Sequence, residues 1–497
     1  MQPVLQAVLR SWSIPPMATF ALVLTLLTYL RGAWLLRRAG YPYLPAWRMG
    51  SFALGLFTLW FALASPLDTL SPFVLTAHMV QHMILMMVAP PLILLGEPLI
   101  PIVRGMPRFA AREFAGPFLN WPVAGRIGLA LTNPAVALLL MGVAMFAWHI
   151  PGPYELALRS NAWHQVEHAC FFFASIIFWW PVVQPWPSRA QWPRWAMVPY
   201  LLIADLQNTV LSAALVFSDK ILYPSYASAP SLLGLTPQED QAAAGAIMWV
   251  AGSLAFIFPA VLIAIQCLAR RRSDRVAQFL RRDDTSFVER MPSAASPPSK
   301  PHKLFGRRIR PGPFEAASFV ILFVIVAAGF VALARLSADD DDQVLRVSQR
   351  AGAFVVSLYG LAGDIPVGEA GFAVLVQDRA SHEVLLDSSV ELSLRTANGE
   401  NATPQLVRAL PGEENKLLFG ADLNLDAAGA WVLDVTVRQA GRNASVSTPI
   451  EVVKTESESA YPWFDIVILV LAITLSSVYV WRHRADRSAR LVAPISS

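Results

Sequence analysis

Of the eight histidines in this 497-residue chain, five fall in three neighbouring apolar runs: His78 and His82, then His149, then His164 and His168. Polar side chains at membrane depth are retained mainly where they meet a ligand, a partner or a water path, so chemistry is expected here. The four-residue spacing puts His78 and His82 on one helix face, with Met86 continuing the stripe, and it recurs at His164 and His168. Two helices can each offer a pair of nitrogens to one cavity, with His149 as a fifth. Imidazole suits copper, zinc and iron, and thioether sulfur favours copper(I). Met79, Met83, Met86 and Met87 crowd the run holding the first pair, and Met141 and Met145 precede His149. Copper is the first candidate. Methionine also fills helix interfaces routinely, so Met86 and Met145 stand as weaker ligand candidates.

Around this set lie residues that could orient it. Asp205, Asn208 and Ser212 share one stripe of a later run, with Asp205 near mid-membrane. A carboxylate there must be paired or protonated. It could hold the second N–H of a ligating histidine, relay protons, or make an interhelical hydrogen bond. Glu167, one turn from His164, either does the same work or faces water. Cys170 points away from the face of His164 and His168 and reads as packing; with Cys267 it gives no disulfide framework. Asp68, Asp219 and Lys220 fall at loop ends, as the mouth of a metal path or as a solvated boundary. The sequence holds no nucleophile with a base, no phosphate loop and no dinucleotide fingerprint, so no enzyme is expected.

The elements that must position these side chains are membrane helices. The chain is 55% hydrophobic and 15% charged, which places it in the multi-spanning class. Apolar runs long enough to span occur near 17–36, 49–64, 71–95, 132–149, 163–183, 195–217, 244–268, 314–336 and 462–481. The net charge of +4 gathers in short clusters beside these runs, a positive-inside pattern rather than a nucleic-acid surface. Arg37, Arg38 and Arg48, then Arg104, Arg108, Arg112 and Arg126, then Arg189 and Arg194 mark alternate loops as cytoplasmic, giving an outward N-terminus and an inward C-terminus. The five histidines then share the outer half of the bilayer. Residues 337–460 lie outside, and their alternating stretches FAVLVQD, VELSLRT, KLLFGADL and WVLDVTVRQ between turns predict a small antiparallel β-sandwich. The expected fold is thus an all-α polytopic membrane protein, a seven-helix core over 1–270 plus two further transmembrane helices at 313–336 and 461–482, with an inserted outer-side β-sandwich. A basic Pro/Ser-rich cytoplasmic linker, 271–312, and a tail, 483–497, complete it.

Four stretches, HMVQHMILMMVAPPLILLGEP (78–98), WHIPGPYELALRSNAWHQVEH (148–168), ADLQNTVLSAALVFSDKILYPSY (204–226) and LTPQEDQAAAGAIMW (235–249), together resemble the CtaG-type cytochrome c oxidase assembly factor family. The likeness covers about residues 15–270 and is distantly shared with CopD-type copper transport proteins. It implies a protein of the bacterial plasma (inner) membrane that helps mature a haem-copper cytochrome c oxidase by handling copper. Oxidase subunits, a periplasmic copper chaperone and membrane lipid are the implied partners, and no nucleic acid. The C-terminal part weakly resembles the YtkA or FixH type and is read as a docking module. Two alternatives remain open: a redox protein using the same histidines as axial haem ligands, and a CopD-like copper importer.

Overall fold

A chain inside a bilayer has no water to satisfy its backbone, so long apolar runs become helices that close their own hydrogen bonds. The computed structural model describes residues 2–40, 44–115, 122–188, 190–229, 232, 234–288, 343–361, 365–396, 405–412 and 415–453. A short α1 (Gln2–Arg10) leads into α2 (Pro16–Arg38) and α3 (Ala46–Ala64), which α4 (Pro66–Leu70) prolongs. Next come α5 (Leu75–Leu95) and α6 (Leu99–Gly105). There follow α7 (Pro122–Leu131), α8 (Pro134–His149), α9 (Pro151–Arg159) and α10 (Asn161–Val183), then α11 (Met197–Val216), α12 (Pro224–Ser228) and α13 (Pro237–Val288).

Among the described residues six helices are long and apolar enough to cross a membrane, and a seventh exists if α7 and α8 count as one span bent by 69°. The expected fourth span, 132–149, thus corresponds to α8, which at 16 residues is short for a span and joins α7 only across the bend. Asn133 supplies the reason: its side chain accepts from the Ala135 N–H, and Pro134 opens a fresh helix where the previous one stops. The backbone of α13 runs on to Val288, so the first part of the expected linker continues that helix. The expected helices 313–336 and 461–482, the remainder of the linker and the tail 483–497 lie outside the described residues.

Two spans form the centre. In α5 and α10, 67% and 78% of the apolar window is buried, against 22 to 44% in the other four. Those two carry the paired histidines. The peripheral spans keep an apolar outer face, as lipid requires: on α13, Val250, Leu254, Phe258, Val261 and Ile265 form one exposed stripe. Helix α5 is irregular past its middle. Pro90 and Pro91 lack the N–H groups that would bond the carbonyls of Met86 and Met87, and residues Ile84–Val88 widen into a π-turn, with Ala89 N–H reaching back to Ile84. The indole of Trp179 on α10 donates to the Met86 carbonyl at 3.0 Å, locking the two central helices together.

Helices α2 and α6 meet through glycine. A Cβ added at Gly32 would overlap the Pro101 carbonyl, and one at Gly105 the Thr28 carbonyl. Small residues at such crossings let backbones touch. Gly32→Ala is expected to cost about 1–3 kcal/mol by overpacking and to lower the melting temperature in detergent; an unchanged melt would refute this account of the crossing.

Between residues 343 and 453 the described chain forms the expected sandwich of two five-stranded sheets. Its strands are β1 (Gln343–Ala351), β2 (Phe354–Leu361), β3 (Ile365–Pro366), β4 (Gly368–Asp378), β5 (Ser389–Thr396), β6 (Gln405–Arg408), β7 (Leu410–Pro411), β8 (Phe419–Leu425), β9 (Gly429–Gln439) and β10 (Arg442–Val453). One sheet runs β1-β2-β4-β8-β7 and the other β3-β10-β9-β5-β6. Pairing is antiparallel except for the short parallel β3–β10 contact, which departs from the wholly antiparallel expectation. In β5 and β9 every second residue, such as Leu392, Leu394, Leu433 and Val435, enters the core. β4 behaves differently. Eight successive residues from Ala370 to Gln377 are buried. Phe372, Val374 and Val376 face the sandwich core, while Ala373 and Leu375 join Tyr359, Val384 and Leu417 against Ala7, Phe73, Val74 and Ala77 of the helical part. Lys416 N–H donates to Ser11 Oγ at 2.9 Å across this contact. The sandwich thus sits on the end of the bundle where α5 begins, one turn from His78.

Candidate metal centre

Helix α5 starts without a cap of its own: Val74 supplies no side-chain acceptor for the first free N–H groups. Asp240 of α13 does so instead. Its carboxylate accepts from Leu75 N at 2.7 Å and from Thr76 N at 3.1 Å. Asp240 is itself held by a capping box at the start of α13, where Thr236 N–H donates to Glu239 Oε2 at 2.8 Å and Glu239 N–H returns to Thr236 Oγ1 at 3.3 Å. One turn beyond this anchored end stands His78.

The structure brings the four paired histidines together. Ring centroids lie 4.2 Å apart for His78–His82 and 4.1 Å for His164–His168 along each helix. Across the helices they lie 5.2 Å apart for His78–His164 and 5.3 Å for His82–His168. Glu167 joins them. It is fully buried, and its Oε2 lies 3.7 Å from His78 Nε2 and 3.9 Å from His82 Nε2. Donor atoms of His78, His82, His164 and Glu167 all lie within 4.8 Å of one another. Glu167 therefore neither faces water nor stands behind a histidine; it shares the chamber as a potential ligand.

His149 sits at the edge. Its Nδ1 contacts the Met145 carbonyl at 2.7 Å, so that nitrogen carries the hydrogen and Nε2 holds the lone pair. Its ring lies 6.2 Å from Phe171, which also backs His82 at 4.8 Å. Met86 and Met145 are buried in the same helical core. Asp205 and Asn208 take the interhelical alternative. Asp205 accepts from Ser253 Oγ at 2.7 Å and Asn208 donates to the Met248 carbonyl at 3.2 Å, so both tie α11 to α13. Cys170 is exposed on the outside of the bundle rather than packed within it, and both cysteines are free. Asp68 accepts from Gln81 Nε2 at 2.8 Å, while Asp219 and Lys220 are exposed.

Three tyrosines that sequence reasoning did not single out roof the chamber. Tyr154 lies 5.2 Å from the His78 ring and stacks on Tyr223 at 3.9 Å. Tyr223 donates to the His149 carbonyl at 3.1 Å. Tyr226 donates to the Ser71 carbonyl at 2.7 Å, and its oxygen also lies 3.4 Å from His78 Nδ1. The single phenolic hydrogen is committed to Ser71, so toward His78 the oxygen accepts; Nδ1 bears the hydrogen and Nε2 turns its lone pair inward. Burial pushes the hydroxyls of Tyr154 and Tyr226 well above the ordinary tyrosine range, so both stay neutral donors. Their signal in the sequence was weak: YELALR and YPSY fall between the apolar runs.

What such a set of atoms can do is decided by what they lack. Buried nitrogens want partners, yet the Nε2 atoms of His78, His82, His149, His164 and His168, and both Glu167 oxygens, have no hydrogen-bond partner. Imidazole nitrogens gathered beside a carboxylate are a donor set that could hold a metal ion. A family model describing cytochrome c oxidase caa3 assembly factors matches residues 27–270. This membrane core belongs to that family. The CtaG match takes in all five histidines, Glu167, the three tyrosines and Asp240. Curated relatives are more distant: an uncharacterized protein of Mycobacterium leprae is 24% identical over 50% of this chain and 38% of its own length. Uncharacterized proteins of Mycobacterium bovis and Mycobacterium tuberculosis are 24% identical over 55% of this chain and 42% of theirs. The chain therefore spans about two fifths of the length of these relatives. No solved structure matches.

For this CtaG-family core, the tyrosine roof gives a direct test. Tyr226→Phe removes the oxygen that holds the His78 tautomer, and metal affinity of the purified protein is expected to fall about 10-fold or more. Equal affinity in wild type and variant would show that the Tyr226 oxygen does not hold the ring.

Proposed function

We propose that this cytochrome c oxidase assembly factor binds copper in the histidine chamber and passes it to an apo-oxidase subunit. The observation that carries the reading is the convergence of five buried, unpartnered histidine nitrogens with an unpartnered carboxylate. Imidazole-rich sites accept copper and zinc alike; the assembly of a haem-copper oxidase selects copper as cargo. The side facing the chamber supports an extracytoplasmic handover. Arg37, Arg38 and Arg48 lie at the ends of α2 and α3 remote from His78, and Arg48 pairs there with Glu97, a distribution that under the positive-inside rule supports a chamber on the outer side. The oxidase and a periplasmic copper chaperone are then the partners within reach.

Haem ligation is the weaker alternative. Between the His78 and His168 rings, 6.5 Å apart, crowd His82, His164 and Glu167, which leaves little space for a macrocycle. The deciding measurement is metal analysis of the purified wild type beside a variant with His78, His82, His164 and His168 all changed to alanine. Copper retained by the first and lost from the second is the expected result. A wild type with a Soret band and no copper would replace this reading by the haem one, and copper uptake that depends on the protein in cells lacking the oxidase would favour an importer.

A further inference from the structure

We infer that the chamber holds two metal ions in tandem rather than one, an inference that rests on the metal-handling reading above. Two imidazoles gripping one tetrahedral ion through nitrogen at about 2.0–2.1 Å keep their ring centroids about 5 Å apart. The cross-helix pairs meet that condition, at 5.2 Å for His78–His164 and 5.3 Å for His82–His168. The same-helix pairs, at 4.2 and 4.1 Å, are too close, and the His78–His168 diagonal, at 6.5 Å, is too long. The rings therefore form two rungs, whose rings stand 4.2 and 4.1 Å apart along the two helices because α5 and α10 each repeat histidine at four residues.

The count of unpartnered atoms agrees. Nine buried atoms lack a hydrogen-bond partner here: the five Nε2 atoms, Nδ1 of His82 and of His168, and both Glu167 oxygens. A single ion held by His78, His82, His164 and Glu167 would leave both His168 nitrogens and His149 Nε2 unsatisfied, and each such orphan is costly in a dry interior. Glu167 also stands where a bridge must stand. Its Oε2 is nearly equidistant from the upper rung, 3.7 Å to His78 Nε2, and from the lower, 3.9 Å to His82 Nε2, while its second oxygen is free of hydrogen bonds. One carboxylate spanning two cations would lower their mutual repulsion. His149, with its Nε2 lone pair at the chamber edge, offers a further nitrogen.

The test is an anaerobic titration of the full-length protein in detergent with copper(I), buffered by the competing chelator bicinchoninate. Two equivalents per chain are expected for wild type, one for the paired variant His82→Ala/His168→Ala, and one for His78→Ala/His164→Ala, each checked for a single monodisperse species. One equivalent at wild-type saturation would overturn the tandem site while leaving copper handling in place. No copper at all would overturn both, and loss of every equivalent in either paired variant would show that the rungs are one site. The wild-type count needs no variant to fold.

Discussion

Changing His78 or His168 to alanine is expected to abolish oxidase activity in the membrane, by more than 10-fold, while the factor remains inserted and the apo-oxidase subunits are still made. Each ring supplies a nitrogen that nothing else in the protein satisfies, and each belongs to a different helix and a different cross-helix pair. Removing one leaves its neighbours buried with an incomplete set of donors, so the site loses affinity without losing the fold. Copper content of the purified oxidase and immunoblots of factor and subunits from the same membranes check this. Oxidase with its normal copper in either variant would contradict the role assigned to the chamber.

Asp240→Ala is expected to have the second largest effect, although Asp240 lies outside the set of candidate ligands. Its two hydrogen bonds to Leu75 N and Thr76 N cap the start of α5 in place of Val74, and both are made across helices in a buried place. Leaving such donors unsatisfied costs about 1–3 kcal/mol. The first turn of α5 should then fray, carrying His78 out of register with His164 and lowering copper affinity about 10–100-fold, as loss of a ligand's support does. Asp240→Asn, which keeps one acceptor, should fall between. Amide exchange at Leu75 and Thr76 supplies the independent readout: protection retained in the alanine variant would show that Asp240 does not anchor the helix.

Six of the expected spans were legible because hydropathy alone separates them, and the histidines because polar rings in such runs have no ordinary reason to recur at four residues. Partners across the fold were not. Asp205 looked like the carboxylate a histidine needs, yet helix rotation gives it to Ser253, and Glu167, at the mouth of its span, turns inward instead. Nothing within α5 announces that a residue 165 positions later caps it. The bend before α8 was written in Asn133-Pro134, a capping pair in the middle of an apolar stretch. In the sandwich, AVLV in β4 reads as a strand, but its lack of polar alternation carries a further message: both faces are dry, the second one against the helices.

That second dry face makes the sandwich a plug. Tyr359 sets its ring edge-on against Phe73 at 5.5 Å, five residues before His78 along the chain, and Leu375 and Leu417 fill in around it. Whatever delivers or collects an ion from this end must either lever the plug away, wetting Leu375 and Phe73 for as long as it stays open, or slip in from the flank between helices. On the copper-handling reading, the first of these routes would tie metal passage to the seating of the sandwich, whereas every described donor atom of the chamber comes from the helices.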